Sequence, residues 1–432
     1  MKRESFGSRL GFILVSAGCA IGIGNVWKFP YICGAYGGAA FILIYLLFLI
    51  ILGIPVLVCE FAVGRGSRKS VALSFDELQS KNGKWTPLKF IGIIGCYMLM
   101  MFYTTVGGWL MYYCYKGIRG SFVNASSDNI STQFSQMLTD VPTMLFWTIL
   151  ICVIGFAVCM FGLNNGIERV TKVMMTALIL IMVVLAIRSV TMAGAGEGIR
   201  FYLIPDFHKM VESGIGNVVF AALSQAFFTL SIGIGAMLIF GSYLDQSRSL
   251  TGEAVNIMLL DTFVALTAGF IIIPACFAYG IEPGAGPSLI FITLPNIFAQ
   301  MSGGRIWAFL FFLFLTFAAL STIIAVFENL VMFNMELLGW RRKKSVLVCA
   351  TLIIILSIPC VLGFNVWSGV QLLGEGSTIM DLEDFIVSNN LLPLGSLGYV
   401  LFCTRKNGWG WDAFIKEVNT GSGMKFPKTL RG

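Results

Sequence analysis

The first apolar stretch of the chain contains Gly18-Cys19-Ala20-Ile21-Gly22-Ile23-Gly24-Asn25-Val26-Trp27-Lys28-Phe29-Pro30. Three glycines, an amide, a cation and a proline within thirteen residues do not make an ordinary lipid-facing helix. In hydrocarbon an unpaired peptide group costs several kcal/mol, so such a break survives only where it lines a cavity inside the protein. A half-helix starting near Gly22–Gly24 offers unpaired N–H groups and a positive dipole end, which suit an anionic carboxylate. The carbonyls just before it, from Gly18 to Ile21, suit a hard cation, which takes oxygen ligands. A glycine-rich packing face is the plainer alternative, but it leaves Asn25, Lys28 and Pro30 unexplained. The stretch is neither GxGxxG nor preceded by a strand, which excludes a dinucleotide fold.

A second interruption faces the first in sequence logic. Ser224-Gln225-Ala226-Phe227-Phe228-Thr229-Leu230-Ser231-Ile232-Gly233-Ile234-Gly235 puts hydroxyls, an amide and glycines in the middle of another apolar stretch, and Ile-Gly-Ile-Gly recurs at 21–24 and 232–235. Breaks in corresponding helices of two halves are the mark of inverted-repeat transporters. Ionisable groups inside apolar spans are costly and therefore functional by default. Lys28 needs a partner, and Asp384 is available. Asp261 stands mid-span where Asn25 and Thr229 could share a cation with it; the alternative is a carboxyl kept protonated by burial. Glu60 and Glu328 read as polar glue between helices or as the lining of an inner water path. Ser321-Thr322 offers two adjacent hydroxyls, which otherwise bond their own helix carbonyls. Tyr103 and Phe228 could equally be core aromatics.

These residues must be positioned by membrane helices. Of 432 residues, 57% are hydrophobic and only 12% charged, about half the charge of a soluble domain, and the mean hydropathy is +0.85. With about 20 apolar residues per crossing, ten spans emerge at roughly 10–33, 39–63, 88–116, 142–162, 167–190, 215–242, 252–280, 303–338, 345–364 and 384–403. An even number puts both chain ends on one side. Of the 29 lysines and arginines, 22 fall on the side of the N-terminus, six on the other, and Lys28 within a span; the bias places the N-terminus in the cytoplasm. That placement, in short loops between apolar spans, also accounts for the +7 formal charge without a nucleic-acid partner. The start resembles a signal peptide, but Asn25 and Lys28 interrupt its core, which favours an uncleaved span. The eleven cysteines lie in or beside apolar stretches with no CxxC pair and read as packing residues. Asn124-Ala125-Ser126 and Asn129-Ile130-Ser131 are outer-side sequons, and the lone His208 reads as a solvated loop residue. No HExxH or GxSxG motif occurs and no span carries a histidine, so no enzyme is expected.

The assembled residues resemble a prokaryotic member of the neurotransmitter:sodium symporter family, whose structural type is the bacterial leucine transporter. The resemblance runs from Arg9 to about Lys428 and rests on Arg9-Leu10-Gly11, Gly22 to Tyr31, Gly53-Ile54-Pro55, Glu60 to Arg65, Gly166 to Arg169, Phe227 to Ser231 and Phe317 to Thr322. It implies an all-α polytopic membrane protein with a 5+5 inverted repeat and discontinuous helices 1 and 6. The first repeat would span 1–190 and the second 215–403. An extracellular loop would cover 191–214, and a cytoplasmic tail 404–432 would lead toward an eleventh helix.

The resemblance also implies sodium-coupled uptake by alternating access in the plasma membrane, with two sodium ions. One ion would use the Ala20 carbonyl, Asn25, Thr229, Asp261 and the substrate carboxylate. The other would use the carbonyls of Gly18, Ile21 and Ala318 with the hydroxyls of Ser321 and Thr322. The carboxylate would meet the Gly22 and Gly24 amides and the Tyr103 hydroxyl. The substrate's side chain would contact Cys19, Leu99, Phe228, Ser231, Ile234, Thr322 and Val326. Phe228 and Tyr103 would form the thin outer lid, with Lys28 and Asp384 as the outer ion pair. Arg3 and Glu336, with Tyr243 near them, would close the cytoplasmic side. The family also leaves room for a homodimer in lipid.

Monoamine carriers of the family have an aspartate where this chain has Gly22, so the substrate expected is an amino acid. An apolar side-chain pocket makes it neutral and hydrophobic or aromatic. Asp261 supplies a negative charge beside the first sodium, which predicts chloride independence. Two departures stand out: Lys28 replaces the usual arginine and loses its bidentate fork, and Thr176 stands where many members have a proline that helps the fifth helix unwind. The rival readings are a proton-coupled or sodium-independent carrier of the same fold, with Asp261 titrating, and a non-transporting sensor.

Overall fold

The computed structural model describes residues 4–281 and 288–429. The labelled helices are α1 (Arg9–Ala20), α2 (Gly24–Ala35), α3 (Ala39–Ser67), α4 (Leu88–Arg119), α5 (Val141–Met160), α6 (Leu163–Val190), α7 (Ile215–Thr229), α8 (Leu238–Tyr243), α9 (Leu250–Ala278), α10 (Leu289–Gln300), α11 (Gly304–Leu337), α12 (Arg342–Leu362), α13 (Ile379–Thr404) and α14 (Trp411–Val418). Among the described residues eight helices are long and apolar enough to cross a membrane, nine with the bent pair α1–α2. The interrupted α7–α8 makes the tenth predicted span. Its two parts, of 15 and 6 residues, are each too short to cross alone.

The first break is abrupt. α1 starts on the Ser8 hydroxyl, which accepts from the Gly11 amide at 3.0 Å, and ends at Ile21, whose ψ of 96° leaves the helical region. The chain turns by 56° before α2. At the second break Thr229 ends α7 and the backbone runs through positive φ at Ser231 (51°), Gly233 (99°) and Gly235 (74°). A Cβ at Gly233 would lie 2.1 Å from the Leu392 carbonyl oxygen, so α13 can approach this turn only because the residue is glycine. The exposed amides of the turn are gathered by Glu60 of α3, whose carboxylate accepts from Gly233, Gly235 and, at 3.2 Å, Met237. Of the two roles open to Glu60 in the sequence, this contact is that of glue, closing the unpaired end of a broken helix.

Four π-helical turns, Gly24–Lys28, Leu49–Gly53, Leu289–Thr293 and Val387–Leu391, each end two residues before a proline, Pro30, Pro55, Pro295 and Pro393. A proline ring has no N–H and collides with the carbonyl four residues back. Widening the preceding turn relieves that collision without ending the helix. At α6 the helix runs on through Thr176, whose hydroxyl donates to the Lys172 carbonyl at 2.8 Å.

α11 lies at the centre, with its most apolar stretch 78% buried, and packs along α4, α5 and α6 as well as α1. Phe327 stacks on Phe156 of α5 with ring centroids 3.7 Å apart. The cysteines are all buried with free thiols. After α13 the chain folds back over the loop between α8 and α9: Arg65 of α3 pairs with Glu417 at 2.5 Å, and the Ser249 amide donates to the Ser422 carbonyl at 2.9 Å.

Candidate substrate and ion site between the broken helices

Asn25, Thr229 and Asp261, from α2, α7 and α9, meet with no exposure to solvent. Asn25 Nδ2 donates to Asp261 Oδ1 at 2.8 Å and to Thr229 Oγ1 at 2.9 Å, and the Thr229 hydroxyl donates to Asp261 Oδ2 at 3.0 Å. Asn25 Oδ1 accepts from the Gly22 amide at 3.1 Å. A half-turn of that amide group, whose N and O ends are near-isosteric, presents oxygen to a cation lying among the three side chains. The Tyr45 hydroxyl lies beside Thr229 and Asp261. Gln225, given no role from the sequence, donates to the Gly24 carbonyl at 2.8 Å and so holds the two broken helices together. Its signal was present: an amide in the middle of an apolar span.

The second cluster joins the last turn of α1 to α11. Ser321 Oγ lies 2.9 Å from the Ala318 carbonyl and 3.4 Å from that of Ile21; Thr322 Oγ1 lies 3.3 Å from Gly18 and 3.4 Å from both Ile21 and Ala318. Four of these five separations are long for hydroxyl hydrogen bonds. Oxygens ~2.4 Å from a hard cation sit roughly 3.4 Å apart at neighbouring corners of an octahedron. These hydroxyl–carbonyl separations suit oxygens around a hard cation, and the five oxygens carry no formal charge.

Between the clusters is a cavity of about 10 Å³ lined by Ala20, Gly24, Leu99, Tyr103, Phe228, Ser231, Thr322 and Leu392. Seven of these eight are among the residues that the family resemblance implies. Leu392 is not, because only packing brings α13 against the turn after α7. Cys19, Ile234 and Val326, also expected at the pocket, are buried without lining this small cavity: the Cys19 carbonyl accepts from Ser231 at 3.1 Å, and Ile234 packs on Gly95. Gly22 and Gly24 admit no side chain. A Cβ at Gly22 would lie 2.0 Å from the Tyr103 hydroxyl, and one at Gly24 would lie 2.6 Å from the Phe228 ring. The amide that meets the Tyr103 hydroxyl is that of Ile23, at 2.8 Å.

Each end of this site is closed by charge. At one end Lys28 Nζ lies 2.9 Å from Asp384 Oδ2 and 4.4 Å from the centre of the Phe228 ring, beneath a cavity of about 240 Å³. At the other, Tyr243 donates to Glu328 at 2.9 Å, and Arg342 grips the same carboxylate at 2.8 and 2.9 Å. Arg3 lies outside the described residues. Its expected partner Glu336 accepts from the Ser70 amide and hydroxyl at 2.8 and 2.7 Å.

The profile of the sodium:neurotransmitter symporter family matches residues 3–137 and 121–374. The chain belongs to that family. The symporter is 36% identical over 98% of its length to the uncharacterized sodium-dependent transporter YhdH of Bacillus subtilis, covering 91% of that protein. It is 34% identical over 93% of its length to an uncharacterized sodium-dependent transporter of Haemophilus influenzae, covering 89% of it. Among solved structures, MhsT in complex with L-phenylalanine superposes with a TM-score of 0.89 at 36% identity, over 98% of this chain and 94% of that one. The symporter therefore has the leucine-transporter fold with its two discontinuous helices. It is a multi-pass membrane transporter coupled to sodium, and not an enzyme.

The Glu328–Arg342 pair of this symporter was not legible as a pair. Arg342 sits in the basic run 341–344, which alone signals only topology, and nothing in one-dimensional spacing aims its guanidinium back at α11.

Proposed function

We propose that this symporter carries a neutral hydrophobic or aromatic amino acid inward across the plasma membrane with two sodium ions and without chloride. In this reading the N-terminus is cytoplasmic, residues 1–190 and 215–403 form the two inverted repeats, and the Lys28–Asp384 end faces outward. The observation that carries the reading is the small cavity held between the two breaks, flanked by an acidic oxygen cluster on one side and a neutral one on the other.

The lack of room at Gly22 supports a substrate that brings its own carboxylate, because no side-chain acid can stand there to meet an amine. That carboxylate would face the peptide groups of Gly22 to Gly24 and the Tyr103 hydroxyl, next to the sodium held by Asn25, Thr229, Asp261 and the Ala20 carbonyl. The second sodium would sit among Gly18, Ile21, Ala318, Ser321 and Thr322 and tie α1 to α11. Loss of that ion inside the cell would free α1 to swing away. Leu99, Phe228 and Leu392 offer no partner to a charged side chain. The phenylalanine named with MhsT supports an aromatic guest, which the cavity would admit only as Phe228 and its neighbours move apart. Asp261, the one acid of its cluster, would do the work for which a chloride ion is otherwise needed.

The test is uptake into proteoliposomes of each proteinogenic amino acid, driven by an imposed sodium gradient at fixed pH. Uptake of phenylalanine or another large neutral amino acid is expected, unchanged when gluconate replaces chloride and abolished by Asn25→Ala or Thr322→Ala. Uptake driven equally well by a proton gradient without sodium would move the assignment to a proton-coupled carrier with Asp261 titrating.

A further inference from the structure

One acidic side chain has no part in either cation cluster or in the two closures. Glu383 lies on α13 next to Asp384, yet it points away from the cavity that Asp384 lines. It is only 3% exposed, and neither of its carboxylate oxygens has a hydrogen-bond partner among the described residues. Its polar neighbour is the thiol of Cys360 on α12, which in turn lies beside the Thr105 hydroxyl of α4. The other titratable groups nearby are Asp381 and Asp384 on its own helix. Asp381 caps the helix with Thr378, and Asp384 is already paired with Lys28. Tyr103 of α4 faces the same cavity as Asp381 and Asp384. Among the described residues no cation reaches Glu383. An ionised carboxylate in such a place has no counter-charge and only a weak thiol donor to replace its water, whereas the neutral acid needs neither.

The first turns of α13 are also the part of that helix best placed to move. Ile379–Ile386 is eight residues long and runs straight into the π-helical turn Val387–Leu391, a local widening where a helix bends readily. Lys28 and Asp384 stand on α2 and this segment, so relative movement of the two elements parts them. Glu383 sits on this same segment, between α4 and α12, so a swing that withdraws the segment from those helices would carry its carboxylate toward water.

We propose that Glu383 is a proton-binding site tied to the Lys28–Asp384 closure: each closing takes one proton from the adjoining solution onto its carboxylate, and each opening returns it. The balance is one carboxylate plus one proton to one carboxylic acid, with no other bond made or broken. This rests on reading Lys28–Asp384 as a gate that opens. Because the closed form binds the extra proton, acid favours closure. Above the ordinary carboxylate range near pH ~4.3, each unit of rising pH disfavours closure by up to about tenfold, until the closed form itself loses the proton.

The experiment is infrared spectroscopy on the purified symporter in sodium near neutral pH, comparing wild type with Glu383→Gln. The expected difference is the carbonyl band of a protonated carboxyl, present in wild type and missing from the variant. Cys360→Ala, which keeps the acid and deletes its neighbour, should shift that band without removing it, so the site stays testable if Glu383→Gln folds poorly. Adding L-phenylalanine in weak buffer should then draw up to one proton per wild-type transporter and fewer in Glu383→Gln. A difference spectrum that loses only an ionised-carboxylate band would overturn the proposal. Phenylalanine binding with equal proton uptake in wild type and Glu383→Gln would overturn it too, whereas a protonated Glu383 with no phenylalanine binding would sink the proposed substrate.

Discussion

The two closures of the symporter are built from the same kind of contact, a cation on a carboxylate, but in opposite surroundings. Lys28 and Asp384 keep 25% and 35% of their side chains exposed and join through a single ammonium. Arg342 keeps 16% and Glu328 none, and the planar guanidinium meets both carboxylate oxygens while Tyr243 adds a third donor. A half-exposed lysine pair is worth ~0–1 kcal/mol, whereas stranding one partner of a buried pair costs about 3–5 kcal/mol. The difference teaches that one end is a latch that thermal motion can lift. The other is a lock, and in the proposed cycle loss of the ion assigned to the α1–α11 cluster would make up the cost of opening it.

The hardest blow to that contrast is Glu328→Ala, which leaves the largely buried Arg342 with only the exposed Glu4 carboxylate, 3.7 Å away, as a counter-charge. It should lower stability by about 3–5 kcal/mol, read as a lower unfolding temperature and faster amide exchange in α8 and the second half of α11. Unchanged exchange there would mean that the two closures are energetically alike. Tyr243→Phe keeps the ion pair and removes one charge-assisted hydrogen bond, so a loss of about 1.5 kcal/mol is expected by the same measurements. Lys28→Ala should shift the opening of its own end by less than ~1 kcal/mol, and the shift should fade as salt is raised above the screening range. Lys28→Arg sharpens the comparison in the other direction. A guanidinium can reach both oxygens of Asp384, so slower opening at that end with no change at the Glu328 end is the expected result, checked by exchange in Ile379–Ile386.

Much of the site was readable before any coordinates. The breaks at Gly22 and around Gly233 are written in residue types that cannot stay helical and lipid-facing together, and Asn25, Thr229, Asp261, Ser321 and Thr322 are polar groups that hydrocarbon forbids unless they meet. The Lys28–Asp384 pair followed from the same cost. What escaped the sequence were choices among equals. Glu60 and Glu328 carry the same chemistry in similar apolar spans, yet one caps the amides of a broken helix and the other anchors a guanidinium. Leu392 is one leucine among many until α13 leans on Gly233, and nothing local in the sequence sets Ile234 against Gly95 of α4.

The sequence by itself thus determined where the membrane helices run, where two of them must break, and which polar side chains have to find company there. The reason is that hydrocarbon penalises each unpaired peptide group or charge wherever it occurs along the chain. Only the tertiary structure decided which carboxylate serves which cation, which leucine reaches the cavity, and that Glu383 is left with a thiol instead of a counter-charge. Those outcomes depend on how helices far apart in sequence rotate and lean on one another, and that geometry has no local signature.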